Sequence, residues 1–397
     1  MPPLTLNRLV VLSITSFVIL IVLLGTFVPE ARNVVPSIGS AKEKACIGGA
    51  CWTAGSNSYV SRLSDFRQSI SKLYDSIKHS ITSKDYVDAY GDEFTLQHGV
   101  IWEKPLGSKV LIIDMDTRSP DGKNEVFGAD KLNWETATGE GSGGMLSASF
   151  MNHFLYAQIH GYEYKFVKSQ PLEDLHNTWI KPIVLEQFLA DYQFVVFIDA
   201  DATIHHLEIP LEWLFSRWGI GHNTSAAMPI DTRQRLNGDE NASCDSKGRI
   251  TLNTGFVVMQ NLPTTFEMLK AWKECPTDER YKDCSYWKKH WSHEQRAFSE
   301  YIRYDFNATG EEIIIPCDDA MGYPTLKKDH PHILSDCRGQ FVRHHTVDKS
   351  MTKSSADMAM LQNLAQIMQS AFKEHEDGSG IKEKHCGMLK GLWGGDC

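Results

Sequence analysis

The segment Phe194-Val195-Val196-Phe197-Ile198 sets five apolar residues in a row, and Asp199-Ala200-Asp201 ends it abruptly. A short run rich in β-branched and aromatic types predicts a strand buried on both faces. Such a strand needs cover on each side, so it constrains the fold more than any other stretch of the chain. Two carboxylates at its end are costly to bury unless positive charge meets them. Residues i and i+2 of a strand point the same way, and a chain leaving the sheet here can present both acids to one cation. Hard oxygen ligands of this kind suit Mg²⁺ or Mn²⁺ carrying phosphates. The competing reading is a strand-to-loop turn in which each Asp makes local hydrogen bonds.

Strands and helices alternate around this segment. Val110-Leu111-Ile112-Ile113 predicts a buried strand running into Asp114 and Asp116. A helix over 147–160 stopped by Gly161 and a strand over 162–167 follow. The next helix, about 179–189, carries Pro182 near its start, where a missing N–H is tolerated. The pattern implies an α/β fold with a largely parallel sheet. Ligands of such sheets sit beyond the carboxyl ends of the strands, where both acidic pairs fall. The loop around Gly139–Gly144 lacks the Gly-Lys-Ser/Thr ending of a phosphate cradle and reads as a mobile loop. Downstream, strands are predicted over 226–231, ending at Asp231, and over 253–259, 313–315 and 340–343. Helices are predicted over 263–273, 292–303 and 357–373. The last of these strands delivers His344, His345 and, shortly after, Lys349.

Residues 9–28 form an uncharged run long enough to cross a bilayer as a helix. Arg8 precedes it and Glu30 and Arg32 follow, a bias that favours a cytoplasmic N-terminus. A cleaved signal peptide is the alternative; both readings export the rest of the chain. Sequons at Asn223, Asn241 and Asn307 agree with that. So does the placement of all nine cysteines beyond the apolar run, where disulfides persist. Their spacing is not that of a zinc site, and an odd count leaves at least one free or paired between chains. A formal net charge of −10 argues against a nucleic-acid partner. Residues 29–58 read as a flexible stem. Val60, Leu63, Phe66, Ile70, Leu73, Ile77 and Ile81 then step by three and four, predicting an amphipathic helix. That helix either dimerises through the stem, giving a homo-oligomer, or packs on its own domain.

Five blocks in order resemble one family. Asn152-His153-Phe154-Leu155-Tyr156-Ala157 followed by Gly161-Tyr162-Glu163-Tyr164 is similar to the "N-x-x-x-Y-A…H-G-Y-x-Y" block of Golgi galactosyl- and mannosyltransferases of the yeast type, a family that includes plant xyloglucan xylosyltransferases. His176-Asn177-Thr178-Trp179-Ile180-Lys181-Pro182 resembles its "W-x-K" segment, and Asp199-Ala200-Asp201 follows. Asn253-Thr254-Gly255-Phe256 resembles its "N-T-G" strand and Glu294-Gln295 its acidic-Gln pair. The resemblance implies a GT-A fold, a nucleotide-diphospho-sugar donor, a glycan acceptor, Mn²⁺ (or Mg²⁺) and retention of anomeric configuration. It implies metal ligation by Asp199, Asp201 and His345, or its neighbour His344. Donor contacts fall to Asp114, Asp116, Lys181, Asp199 and Lys349. The catalytic candidates are Gln295, set near the anomeric carbon, Glu294, binding acceptor or orienting Gln295, and Asp231.

The expected plan is a cytoplasmic tail (1–8), a signal-anchor (9–28), a stem with the amphipathic helix (29–108), a GT-A domain (109–350) and a C-terminal helix and tail (351–397). This describes a type II protein of the Golgi (or ER) membrane with its catalytic domain in the lumen. The chemistry is coherent without the resemblance, because a cation and a lysine stabilise the charge that develops on a diphosphate leaving group. A glycoside hydrolase would need two carboxylates across a glycan cleft, and Asp199 and Asp201 are too close together for that. A non-catalytic sugar-binding domain and an inverting relative are the remaining alternatives.

Overall fold

A computed structural model of the chain describes residues 44–47, 50–53, 57–137, 143–306 and 312–379. The apolar run 9–28, the sequon at Asn307, most of the Gly-rich loop and the tail beyond residue 379 lie outside them. Among the described residues no helix is long and apolar enough to cross a membrane.

Two short strands, β1 (Lys44–Ile47) and β2 (Ala50–Thr53), pair with each other and precede α1 (Asn57–Tyr74). A small hairpin, β3 (Asp85–Val87) and β4 (Glu93–Thr95), leads to β5 (Val110–Asp116). Then come α2 (Gly143–His160), β6 (Glu163–Lys168), α3 (Ile180–Leu189) and β7 (Phe194–Ile198). They are followed by β8 (Ala202–Ile204), α4 (Leu211–Trp218), β9 (Ala226–Pro229), β10 (Phe256–Gln260) and α5 (Pro263–Glu274). Helix α6 (His293–Ala297) runs through a π-helical turn, Phe298–Ile302, into Arg303–Asp305. Strands β11 (Glu312–Ile315) and β12 (Val342–His344) and the long α7 (Met351–Ser379) complete the order.

The central sheet has six strands in the order β11-β9-β10-β7-β5-β6. Neighbours pair in parallel except at β10, which runs antiparallel to both β7 and β9. The expected α/β sheet is therefore mixed, with one reversed strand. That strand starts at Phe256, so its leading residues Asn253–Gly255 meet the carboxyl end of β7, and Phe256 registers with Ile198.

Both faces of the sheet are covered, which is why β7 is apolar throughout. Phe194, Val196 and Ile198 join Val110, Ile112, Phe256 and Val258 against residues of α2, α4 and α7. Val195 and Phe197 join Leu111, Ile113, Val257 and Met259 against α3, α5 and α6. Each fully buried large side chain of this kind contributes roughly 1.5–3 kcal/mol. Helix α1 belongs to the first of these layers. It ends at Tyr74, earlier than the periodicity predicts, and the chain turns so that Ile77 packs on the core outside the helix. Arg67 of α1 donates to Gln158 at 3.1 Å and meets Glu163 at 2.9 Å, while Phe66 stacks on Phe154. Tyr86, Phe94, Leu96, Trp102 and Leu106 share the same core. Disulfides join Cys275 to Cys284 and Cys317 to Cys337; among the described residues Cys244 is free.

Candidate active site

The chain after β7 turns sharply, with the Ala202 N–H donating to the Asp199 carbonyl at 3.0 Å. Strand β8 then pairs antiparallel with β12, placing His344 opposite Ala202. Three residues of strand carry too little periodicity to be read from sequence, so β8 was not anticipated. The block around Asn152 explains how it is held. Asn152 accepts from the Ile204 N–H at 2.8 Å and donates to the Ile204 carbonyl at 3.0 Å, copying a strand partner with one side chain. Tyr156 donates to the Ile209 carbonyl at 2.7 Å, and Tyr162 donates to Glu212 at 2.5 Å while accepting the Leu211 N–H. Buried polar groups satisfied in this way fix one geometry.

The result is a group able to hold a cation. Asp199, Asp201 and His344 each offer a ligand atom, all within 4.8 Å of one another. His344 Nε2 lies 3.1 Å from Asp201 Oδ1 and 3.9 Å from Asp199 Oδ2. The preference for His345 as the ligand is corrected by the alternation of β12: its ring turns away from the acids and stacks on Tyr323 at 5.2 Å. Burial and the neighbouring His344 lower the His345 imidazole to about 3, so it stays neutral. The donor set, two carboxylate oxygens and one imidazole, fits Mn²⁺ or Mg²⁺. Gly255 is required by the same packing. A Cβ there would stand 2.1 Å from His344 Cε1 and 2.8 Å from Asp199 Oδ2.

The charges of this group are unequal. Burial opposes ionisation of Asp201, but His344 and then Lys349 outweigh it and hold the carboxyl well below the usual carboxylate range. Burial likewise disfavours the His344 imidazolium, yet Asp201 raises it above the ordinary histidine value. Asp199 moves upward, first through burial and then because Asp201 lies beside it, with Lys181 pulling the other way. Lys349 Nζ sits 2.9 Å from Asp201 Oδ2, and half of its side chain stays exposed.

A second set of residues lines the opposite wall. Lys181, on α3, lies 3.2 Å from Asp199 and 3.3 Å from Glu294, and donates to the Thr254 carbonyl at 3.0 Å. Glu294 accepts from Thr254 Oγ1 at 3.0 Å and is only 2% exposed. Gln295 Oε1 accepts from the Thr254 N–H at 3.1 Å, and Gln295 Nε2 donates to Asp231 Oδ2 at 2.8 Å. Asn253 donates to Asp231 Oδ1 at 3.3 Å and accepts from the Gly255 N–H at 2.8 Å. Withdrawal from solvent raises the Asp231 pKa, with the Thr232, Asn253 and Gln295 hydrogen bonds opposing it.

Between the walls lies a cleft of about 640 Å³. Asp116, Lys181, Asp199, Asp201, Asp231, Glu294, Gln295, His344 and Lys349 all line it. Asp114 does not. Its side chain is fully buried, with Oδ1 2.8 Å from His153 Nδ1 and Oδ2 accepting from Tyr164 at 2.6 Å, so both oxygens are taken inside the core. The donor role for Asp114 is corrected to that of a buried anchor. Asp116 holds Arg118 in a two-point pair at 2.9 and 2.7 Å. Arg118, His176, Trp291 and His293 also line the cleft and escaped the sequence reading as site residues. Arg118 lies two residues past an acid already singled out, which was the available signal. Of the sequons, Asn223 and Asn241 are exposed.

Residues 127–359 match the galactosyl transferase GMA12/MNN10 family. That span holds Lys181, Asp199, Asp201, Asp231, Glu294, Gln295, His344 and Lys349, while Asp116 and Arg118 lie before it. No curated protein matches the chain. Among solved structures, the chain is similar to a glycosyltransferase involved in the glycosylation of the major capsid of PBCV-1, at 12% identity, 63% of this chain, 99% of that chain and a TM-score of 0.41. It is also similar to mouse xyloside xylosyltransferase 1 in its apo form, at 10% identity, 60% of this chain, 97% of that chain and a TM-score of 0.34. The family match covers more than half of the chain, which therefore belongs to the galactosyl transferase GMA12/MNN10 family and is a glycosyltransferase.

Proposed function

We propose that the chain is a metal-dependent GT-A transferase that moves a hexose or pentose from a nucleotide-diphospho-sugar to a glycan or glycoprotein acceptor with retention. The observation that carries this is the Asp199, Asp201 and His344 group, the last two buried and Asp199 half-buried, opening on a cleft that Lys349, Asp231 and Gln295 also line. Asp199, Asp201 and His344 would hold Mn²⁺ (or Mg²⁺), which when bound supplies charge neutralisation for the diphosphate leaving group.

The chain's own residues do the rest. Lys349, now paired with Asp201, is exposed enough to swing its ammonium onto a diphosphate oxygen. Lys181 stays behind the acids, balancing Asp199 and Glu294. Glu294 acts as a positioning residue, because its side chain is spent on Lys181 and Thr254. The Gln295 amide is locked at both ends and faces the cleft. Such a preorganised dipole stabilises a cationic anomeric centre without rearranging during the reaction. Asp116 and Arg118, which line the same cleft, would contact the nucleotide.

A screen of nucleotide sugars for Mn²⁺-dependent hydrolysis tests the reading without knowing the acceptor. Turnover with one donor that stops on chelation is expected, and metal-independent turnover or none with any donor overturns it. Proton NMR of the first-formed product from an α-linked donor tests retention, since a β-linked product would contradict it.

The topology belongs to the same proposal. The run 9–28 anchors a type II protein in the Golgi (or ER) membrane, the body is lumenal, and Asn223, Asn241 and Asn307 carry glycans. A homo-oligomer through the stem is the remaining element. An intact N-terminus on the purified protein, with a gel shift after removal of N-glycans, is the expected outcome. A new N-terminus near Pro29 would replace the anchor with a signal peptide.

A further inference from the structure

The His344 ring has two nitrogens, and only one of them faces the acids. Nε2 lies 3.1 Å from Asp201 Oδ1. Nδ1, on the far side of the ring, lies 3.2 Å from the Met321 sulfur. A thioether has no proton to give and is only a weak acceptor, so this contact is an N–H donated from Nδ1 to sulfur. The main-chain N–H of His344 donates to the Gly322 carbonyl at 3.1 Å. Met321 is completely buried and His344 is 3% exposed, so bulk water does not reach the Nδ1 proton.

A strap holds Met321 in place. The Cys317–Cys337 disulfide closes it. A single helical turn, Cys317–Ala320, ends where the Met321 N–H donates to the Cys317 carbonyl at 2.8 Å. Asp319 in that turn takes the Arg217 guanidinium of α4 in a two-point pair at 2.8 and 3.1 Å, and accepts from the Trp218 indole N–H at 2.9 Å. The Asp318 and Asp319 carbonyls accept from the Gln340 and Phe341 N–H groups at 2.8 and 2.9 Å, just before β12. Gly322 turns the chain at φ +70°, where a Cβ would stand 2.2 Å from the Cys337 carbonyl oxygen. Methionine elsewhere is an adaptable gap-filler; here its backbone is tied both to α4 and to the strand that carries His344.

A histidine that ligates a metal through one nitrogen almost always donates its other N–H to a carboxylate, a carbonyl or water, which fixes ring orientation and tautomer. At His344 sulfur takes that place. With Nδ1 protonated, the Nε2 lone pair is left for the cation. A thioether also adds no charge behind the imidazole, whereas a carboxylate there would be a third acid beside Asp199 and Asp201. We infer that Met321 is a positioning residue of the cation site: its sulfur accepts the Nδ1 proton of His344 and so presents Nε2 to the ion. Packing alone would ask only for an apolar side chain of this size, and the hydrogen-bond distance from Nδ1 to sulfur asks for more. This inference rests on the cation reading of Asp199, Asp201 and His344 and adds what holds the third ligand.

Met321→Leu nearly keeps the volume and removes the acceptor, a swap that usually costs little stability. Met321→Gln returns an acceptor as an amide oxygen. Mn²⁺ binding to the full chain is followed by electron paramagnetic resonance with a nucleoside diphosphate present. M321L should bind about 10–100-fold more weakly, the usual scale for losing such a partner, and M321Q should recover most of that loss. Both should keep the circular dichroism spectrum of the parent. Nitrogen NMR of the histidines, with Mg²⁺ in place of Mn²⁺, reads the ring directly: His344 should carry its proton on Nδ1 in the parent. That measurement needs no variant, so it decides the matter where M321L fails to fold. M321L binding Mn²⁺ as tightly as the parent overturns the inference and leaves the cation site standing. M321Q no better than M321L, or a Mg²⁺-loaded parent with the His344 proton on Nε2, overturns it as well. A parent that binds no Mn²⁺ overturns the cation reading itself and this inference with it, so the two fail distinguishably.

Discussion

Asp201 and Asp231 face the same cleft from opposite walls, and their surroundings treat them in opposite ways. Asp201 meets two cations, His344 and Lys349, and its carboxyl is held below the ordinary 3.8 despite burial. Asp231 accepts hydrogen bonds from neutral donors, Thr232, Asn253 and Gln295, and burial raises it above 3.8 although those bonds and the charge of His344 pull it down. Environments that push two carboxyls apart commonly mark a division of labour. The Asp201 side is built to keep charge, whereas Asp231 is held by neutral hydrogen-bond donors on a wall whose ion pair, Lys181–Glu294, does not touch it. The first suits cation and phosphate, the second a sugar.

Removing charge from the first wall should have the largest effect. D201N keeps the shape, loses a charged ligand and leaves Lys349 without its partner. Transfer should fall on the order of 10²–10³-fold or more, the scale of losing one electrostatic stabiliser, while the circular dichroism spectrum is unchanged. His344→Ala should match it. His345→Ala should cost far less, because that ring packs on Tyr323 outside the cluster. Equal effects of the two histidine variants would break the comparison on its charged side.

Gly255→Ala sharpens it sterically. The added methyl drives into His344 and Asp199, so the protein should lose about 1–3 kcal/mol of stability, as overpacking does. Cation affinity should fall with it. Chemical denaturation with and without Mn²⁺ reads both, and a variant as stable and active as the parent would show that the turn can relax.

D231N probes the neutral wall. If Asp231 only positions Gln295, the rate should fall about tenfold or less. A loss on the order of 10²–10⁴ is what removal of a general base produces; with a β-linked product it would move the enzyme to the inverting class.

The smallest effect is in stability against pH, and its sign differs between the walls. A depressed carboxyl contributes stability that is present above its unfolded value of 3.8 and lost as pH falls through the folded value. A raised carboxyl costs stability as pH rises through its folded value. Without metal, D201N should therefore melt below the parent by an amount that is full above pH 3.8 and shrinks as pH falls below it. D231N should gain over its own, higher window. Calorimetry between pH 3 and 8 would show the two differences diverging, and parallel curves would contradict the contrast.

Much of this was legible in the chain. The apolar run before Asp199 fixed a strand covered on both faces, and the alternation of elements led to an α/β sheet. The reversal of β10 was not legible, because antiparallel pairing leaves no trace in a strand buried on both sides. Helix α4 and strand β8 were missed for a different reason: they are short, and α2 side chains such as Asn152 hold the β8 segment. The Asn152–Tyr164 block was noticed as a pattern, yet its work is to clamp the chain beyond the acids rather than to touch a ligand. Asp114 misled for the mirror reason. An acid at a strand end looks the same in sequence whether it faces solvent or His153. The choice between His344 and His345 needed the register of β12, which no local signal sets.

The most direct test of the central assignment is Mn²⁺ binding followed by electron paramagnetic resonance, with a nucleoside diphosphate present. One tightly held ion per chain is expected for the parent and for His345→Ala, and loss of that ion for D201N and His344→Ala. An ion bound equally well by all four proteins would contradict a site made by Asp199, Asp201 and His344.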